Sequence, residues 1–412
     1  MNRALLALAI AAAASTARAD DFFLKENDRV VFYGDSITAQ RLYTTYVEAY
    51  VTTRFPGLGV RFVHSGWGGD TVTGGAGGKI DQRLARDVVA YKPTVVTCML
   101  GMNDAGYGPW DDDRFDAYKK GYEHIVATLK VKLPGVRLVL VGPSPFDEVT
   151  RPPKFEGGYN EVLKKYGDFV RELAGREKAL FVDLNAPVVE CLEKLHETAD
   201  PGNAAKVIAD RVHPGPGGHL VMARALLEAW HAPALVSELS VDSSKKELAR
   251  TDNIEVKDLG ELTWTQREQA LPFPFAVREP TIETVSSPAR IVDTLDREML
   301  TVTGLTEPAY ELWIDDQRVC TYDRADLEKG VNIACLETPM LEQAKNVQAL
   351  LQKHGDIHDM RWHVGVKNDG DDSPHFAKAL AELDAWEDDV LAAAKEKAKP
   401  KAHRFKLVAA AK

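Results

Sequence analysis

Four short segments of the chain carry side chains that could work together on a carbonyl group. In FYGDSIT, Ser36 follows the run Val30 to Tyr33, a glycine and an acid. A nucleophilic serine needs a base to take its proton, and the base needs a partner that orients it. The segment ADRVHPGPGGHL offers both. Asp210 stands three residues before His213, a spacing that on a turn lets the carboxylate reach the near imidazole nitrogen while the far one faces the serine. Acyl chemistry also needs donors for an oxyanion. Gly66 in HSGWGGDT can offer an unobstructed amide, and Asn103 in LGMNDAG its side-chain amide. Taken singly, each has a plainer reading: Ser36 as a helix N-cap, Asp210 and His213 as a surface acid beside a capping histidine, Gly66 and Asn103 as turn residues.

The elements that must hold these segments decide between the readings. Val-rich runs at 29–34, 60–65, 94–101, 136–142 and 179–184 are bounded by Gly, Pro or Asn, as strands buried on both faces are. Between them lie helical patterns at 43–55, 79–91, 115–130 and 160–174. Such alternation implies an α/β fold with a parallel sheet and helices on both faces. In an open parallel sheet, ligands bind outside the carboxyl ends of the strands. Ser36, Gly66 and Asn103 each fall just past such an end, and Pro214 with its following glycines keeps Asp210 and His213 in a loop until about Gly218. All four segments therefore meet at one sheet edge. A helix beginning near Thr38 would also turn the Ser36 amide into the site.

These blocks resemble, in order, those of the SGNH or GDSL hydrolase superfamily: GDSIT with Ser36, SGWGGDT with Gly66, GMND with Gly101, Asn103 and Asp104, and DRVHP with Asp210 and His213. The resemblance covers about residues 28–234. It implies a three-layer α/β/α fold with a flavodoxin-like parallel sheet, Ser36 as nucleophile, His213 as general base and Asp210 as its orienting acid. The oxyanion hole would be the Ser36 and Gly66 amides and the Asn103 side chain, and no cofactor is implied. The second block has His64 where Asn is usual, which bears on the local hydrogen bonding and not on the triad. The chain is similar to the superfamily's bacterial carbohydrate acetylesterases, which implies an acetylated oligo- or polysaccharide as substrate. Trp67, Tyr107 and Trp110 beside the blocks are candidate sugar-binding surfaces, or lid residues. Two other classes share the fold: a carbohydrate-binding protein without turnover, which the intact Ser36, Asn103, Asp210 and His213 argue against, and an acyltransferase to a glycan.

The rest of the chain sets the context. The opening MNRALLALAIAAAASTARAD has an Arg, an apolar run from Ala4 to Ala14 and the small-x-small pattern Ala17-Arg18-Ala19. It reads as a signal peptide over 1–19, so export to the periplasm or beyond is expected. No segment is apolar for the ~20 residues that span a bilayer. With 412 residues, 45% apolar and a net charge of -11, the chain can fill a core, and it lacks the positive charge of a nucleic-acid binder. The catalytic domain is expected over 20–236. After about Val236, alternating segments imply antiparallel strands with one solvated face over 237–372, and a helix then leads to a frayed basic tail over 373–412. A helix is expected from about Pro339 to His354. QALPFPFA should lie extended against the catalytic domain, as a packing element before a cleft-shaping one. Cys98 reads as a buried hydrophobe, and Cys320 and Cys335 are a possible bridge. GGAGGK at 74–79 lacks the Gly spacing and the Ser or Thr of a P-loop, which leaves a flexible loop. No metal site is expected, because His354, His358 and His363 match no zinc spacing, which leaves them as solvated or core-edge histidines.

Overall fold

A computed structural model describes residues 22–198, 201–368, 370 and 373–410. The expected signal peptide lies outside the described residues. Five parallel strands form the central sheet: β1 Arg29–Gly34, β2 Arg61–Gly66, β3 Val95–Met99, β4 Arg137–Val141 and β5 Leu180–Val182. Their order, β2-β1-β3-β4-β5, is the flavodoxin-like one. The Val-rich runs form this sheet because both faces are covered. Val30, Val31, Phe32, Val95 and Val96 have no exposed surface. Helices Ile80–Asp87, Asp112–Lys132 and Tyr159–Glu177 neighbour one another in sequence order, and Leu42–Arg54 packs on Pro216–Ala229.

Register places the site. Gly34 at the end of β1 is paired with both Gly66 of β2 and Met99 of β3, so the loops that follow leave at one level. Leu42–Arg54 is rich in Thr, Tyr and Val, which are poor helix formers, and nearly all of it is buried. Here tertiary packing overrides propensity.

After Pro233 the chain builds two further sheets. One is antiparallel throughout, in the order Ile254–Lys257, Thr263–Glu268, His403–Ala409, Ala309–Ile314, Gln317–Asp323. The other departs from the antiparallel expectation: Arg297–Thr303 runs parallel to Leu235–Asp242, with antiparallel neighbours at both edges. The expected frayed tail is instead the middle strand of the first of these sheets. His403, Phe405 and Leu407 point inward and are buried while Arg404 and Lys406 point out, a period-two pattern that the basic composition had masked. The expected helix from Pro339 runs on to Lys367 and pairs with a second, Pro374–Lys397. Residues 74–79 form a small hairpin ladder rather than an open loop. All four cysteines are free, so Cys320 and Cys335 do not pair.

The two regions are interleaved in space. Phe273, Phe275, Ile282, Val285, Ile291 and Leu295 belong to the same core as the parallel sheet. The QALPFPFA segment lies extended as expected, with the Leu271 amide on the Thr53 carbonyl at 3.0 Å and Phe273 edge-on to Tyr46 and Tyr50. Among the described residues no helix is long and apolar enough to cross a membrane.

Candidate active site

The serine is presented by a tight exit from β1. Asp35 caps the one-turn helix Ser36–Ala39, its Oδ1 accepting the Ile37 amide at 3.0 Å. Glycine is required on both sides of this turn. A Cβ at Gly34 would strike Thr38 and the Met99 carbonyl, and one at Gly66 would sit on the backbone of Thr38 and Ala39. The end of β2 thus lies directly against the serine helix. Burial pushes the Asp35 carboxyl up to about 7, opposed by the Ile37 amide and helped by the charges of Asp104 and Asp70.

His213 Nε2 lies 2.9 Å from Ser36 Oγ, and His213 Nδ1 lies 2.7 Å from Asp210 Oδ2. A carboxylate only accepts, so the ring proton sits on Nδ1 and Nε2 is free to take the proton of the serine hydroxyl. Asp210 Oδ1 also accepts the amides of Val212 at 2.9 Å and His213 at 2.7 Å. Burial alone would raise the Asp210 carboxyl, but these bonds with His213 and Val212 hold it below the usual carboxylate range. The turn is fixed at Arg211, which has φ of 74° and whose carbonyl accepts the Asp147 amide at 2.9 Å. Both partners face solvent, with side chains 35% exposed for His213 and 56% for Asp210. The second histidine of this segment, His219, has a different fate. Burial, with His213 nearby, lowers it to about 3, and it is locked neutral with Nδ1 accepting the Tyr43 amide at 3.3 Å and Nε2 donating to Gln40 Oε1 at 2.8 Å.

On the opposite side, the Asn103 amide donates from Nδ2 to the Asp70 carbonyl at 2.9 Å, which leaves its second N–H for a ligand. Its orientation is fixed from the other end as well. The Tyr107 hydroxyl donates to Asn103 Oδ1 at 2.9 Å. Tyr107 is 43% exposed with φ of 56°, and its ring stacks on Tyr159. The sequence marks Tyr107 for its ring, whereas the structure gives its hydroxyl the part, for which its place four residues after Asn103 in the same loop is the visible signal. Asp104 Oδ1 accepts the Val72 amide at 2.9 Å while Oδ2 is buried with no partner among the described residues, and burial pushes this carboxyl up to about 7.

The other candidate aromatics are more engaged. Trp67 is half-buried, with the His363 imidazole stacked on it at 5.0 Å, Trp362 edge-on at 5.0 Å and the Gly77 backbone against the indole. Trp110 packs on Phe115 and Tyr166 beneath Lys165, and its indole N–H goes to Asp112. His64 is buried between Thr44 at 2.8 Å and Glu48 at 3.0 Å. His354 and His358, expected at a core edge or in solvent, are buried against Glu387, each at 3.2 Å.

Residues 32–221 match the family model for the GDSL-like lipase/acylhydrolase family. An acetylxylan esterase of Geobacillus stearothermophilus is 28% identical over 225 residues, which is 48% of this chain and 92% of that protein. A GDSL esterase/lipase of Arabidopsis thaliana is 28% identical over 234 residues, 50% of this chain and 87% of that one. The solved structure of a gut microbial diltiazem-metabolizing enzyme is 27% identical and superposes with a TM-score of 0.80 over 94% of this chain and 99% of its own. That likeness extends through the C-terminal region. The motif match, the strand order of the sheet and these relatives agree: residues 32–221 form a GDSL-like lipase/acylhydrolase domain of the SGNH/GDSL hydrolase type, and the protein is a carboxylic ester hydrolase.

Proposed function

We propose that the protein removes acetyl groups from carbohydrate through a covalent acetyl-enzyme. Ser36 is the nucleophile, His213 the general base, Asp210 its orienting acid, and the Ser36 and Gly66 amides with the Asn103 side chain form the oxyanion hole. The observation that carries this reading is the unbroken chain from Ser36 Oγ to His213 at 2.9 Å and on to Asp210 at 2.7 Å. His213 Nε2 takes the Ser36 proton as Oγ attacks the ester carbonyl, and the oxyanion donors hold the negative oxygen that forms. Collapse breaks the bond to the sugar oxygen, which receives the same proton from His213. Water then attacks the acetyl-enzyme with His213 again as base, and acetate leaves.

The carbohydrate assignment draws support from the acetylxylan esterase relative and from the open setting of the site. Ser36 and His213 are half-exposed at the end of a sheet, where an ester carried on a bulky polymer can approach. Tyr107 and the partly exposed Trp67 are the aromatic surfaces we assign to sugar contact. Export by way of residues 1–19 belongs to this proposal and rests on their sequence pattern.

The test is acetate release from acetylated xylan, acetylated pectin and an aryl acetate, with Ser36→Ala as control. Release by the wild type and not by the variant supports the reading, and the preferred polymer names the substrate. A folded wild type that releases no acetate from any of them would sink it. Acetyl groups appearing on an added glycan in place of free acetate would reassign the chemistry to transfer.

A further inference from the structure

Between the oxyanion side of the site and the C-terminal helices lies one buried arginine. Arg83 has no exposed surface, and its guanidinium uses its fork in three directions. Nε donates to Asp70 Oδ2 at 2.7 Å, Nη2 to the Ser65 carbonyl at 3.2 Å, and Nη1 to Asp87 Oδ2. Two of these bonds reach the proposed oxyanion donors at one remove. The Ser65 carbonyl and the Gly66 amide belong to the same planar peptide unit, so fixing the carbonyl fixes the direction of the Gly66 N–H. Asp70 is the residue whose carbonyl holds the Asn103 amide. Ser65 is secured again by its hydroxyl, which donates to the Asp87 carbonyl at 2.7 Å.

The C-terminal region closes this arrangement. Trp362, from the helix Pro339–Lys367, donates its indole N–H to Asp87 Oδ1 at 2.5 Å, across 275 positions of sequence. Arg86 completes the partners of that carboxylate, from Nε at 2.6 Å and from Nη2 at 2.7 Å. The Arg83 guanidinium also lies over three rings: Tyr33 at 5.0 Å, Trp67 at 5.7 Å and Trp362 at 5.3 Å. An arginine held between planar rings, with each nitrogen of its fork on a different acceptor, is set in one orientation.

We propose that Arg83, locked in place by Trp362, is the positioning residue of the oxyanion hole, and that the C-terminal region is therefore part of the catalytic apparatus. The inference rests on the assignment of Gly66 and Asn103 made above. Donors fixed before reaction are worth most where charge develops in the transition state, so loosening them lowers kcat more than it raises KM.

The test compares Trp362→Phe, which keeps a ring over Arg83 and removes the N–H, with Arg83→Lys and Asn103→Ala, using aryl acetate kinetics and thermal melting on the full chain. Arg83→Lys buries an ammonium without the fork and can fail to fold, and Trp362→Phe then carries the test. The expected result is a kcat for Trp362→Phe lower by roughly 5- to 20-fold with KM within about two-fold, against about 100-fold or more for Asn103→Ala. In the Asn103→Ala background the Trp362→Phe effect should shrink to a small residue carried by Gly66. Two outcomes overturn the inference alone: an unchanged kcat for Trp362→Phe beside a crippled Asn103→Ala, or a Trp362→Phe effect that multiplies in full with Asn103→Ala. An Asn103→Ala enzyme with full kcat would overturn the oxyanion assignment itself, and the inference with it.

Discussion

The parallel-sheet region and the region after Pro233 differ in where they bury polar groups. In the first, Asp35, Asp70 and Asp104 gather beneath one sheet edge, beside the serine. In the second, buried charges gather at the seam with the first. Arg54 donates to the carbonyls of Pro233, Leu235 and Leu295 at 2.9 Å each and meets Asp296 at 3.5 Å, both side chains almost fully buried. Glu48 and His64 meet His354, His358 and Glu387 in the same manner. Buried polar groups cost stability unless paired, so their concentration marks places where orientation counts. At the sheet edge the oriented object is the proposed reactive group. At the seam it is one region against the other.

The largest effect should come from breaking the seam outright. A chain ending at Ala234 loses the covering of Tyr46 and Tyr50 by Phe273, and the apolar side chains from Ile282 to Leu295 that complete the first core. It should yield no soluble, cooperatively melting protein, checked by expression, circular dichroism and thermal melting. Alignment of 92% of the Geobacillus protein with 48% of this chain shows that a relative has about the catalytic length alone. A well-folded, active truncation would mean that the shared core is dispensable here too.

Within the site, the next effect separates a central residue from an exposed one. His213→Ala should lower kcat/KM by ~10⁴-fold or more. Asp210→Asn should lower it by about 10- to 100-fold, below the loss known for a buried triad acid. The reason is exposure: at 56% the Asp210 side chain is screened by water, and a screened charge stabilises an imidazolium less. Equal losses would show that the acid acts with full strength despite its exposure.

What could be read from the sequence follows the same division. The five strands and the meeting of Ser36, Asp210, His213 and Asn103 were legible because each rests on a run or block of under ten residues, and sheet topology then brings the blocks to one edge. Arg83 was not. Its helical stretch RLARD suggests the pair with Asp87, but nothing local tells that Ser65 and Asp70 lie across it or that Trp362 caps it. The strand 403–409 shows how composition can hide a pattern. Arg404 and Lys406 made the segment look solvated, yet they alternate with Phe405 and Leu407 and supply its outward face. The spacing of His354, His358 and His363 excludes zinc but cannot show that His354 and His358 are buried, because their partners Glu48 and Glu387 come from other helices.

A smaller effect tests how far the exposed ring of Tyr107 matters apart from its hydroxyl. Tyr107→Phe removes the donor to Asn103 Oδ1 and leaves the stacking on Tyr159. It should lower kcat by about 3- to 10-fold, the worth of one orienting hydrogen bond, with KM for an aryl acetate nearly unchanged. If KM for acetylated xylan rises instead and kcat holds, the residue serves sugar binding and not the amide.

The smallest effect is a pH dependence confined to the seam. Burial alone would lower the His354 imidazole, but the bond to Glu387 and the charges of Glu48 and Glu387 hold it above its ordinary value, against Arg61. A raised imidazole binds its proton more tightly in the folded state. Its contribution is complete below the ordinary value of about 6.5 and is lost as pH rises through the raised one. His64 acts in the opposite sense. Burial lowers it despite Glu48, so it favours folding above about 6.5 and penalises it as pH falls. Glu387, held well below its ordinary value by His354 and His358 against its burial, adds stability that is present above about 4.5 and lost only in strong acid. The alkaline limb at this seam thus belongs to His354. In His354→Gln, which can still donate to Glu387, the fall in Tm on going from neutral to alkaline pH should be reduced by the equivalent of about 1 kcal/mol, which is about one degree for a chain this long. Melting curves of the two proteins across that range, compared as a difference, isolate this residue from the buried acids Asp35, Asp104 and Asp296, which titrate alike in both. A difference that stays constant with pH would show His354 to be neutral in the fold, and would leave shape rather than charge as what holds the seam.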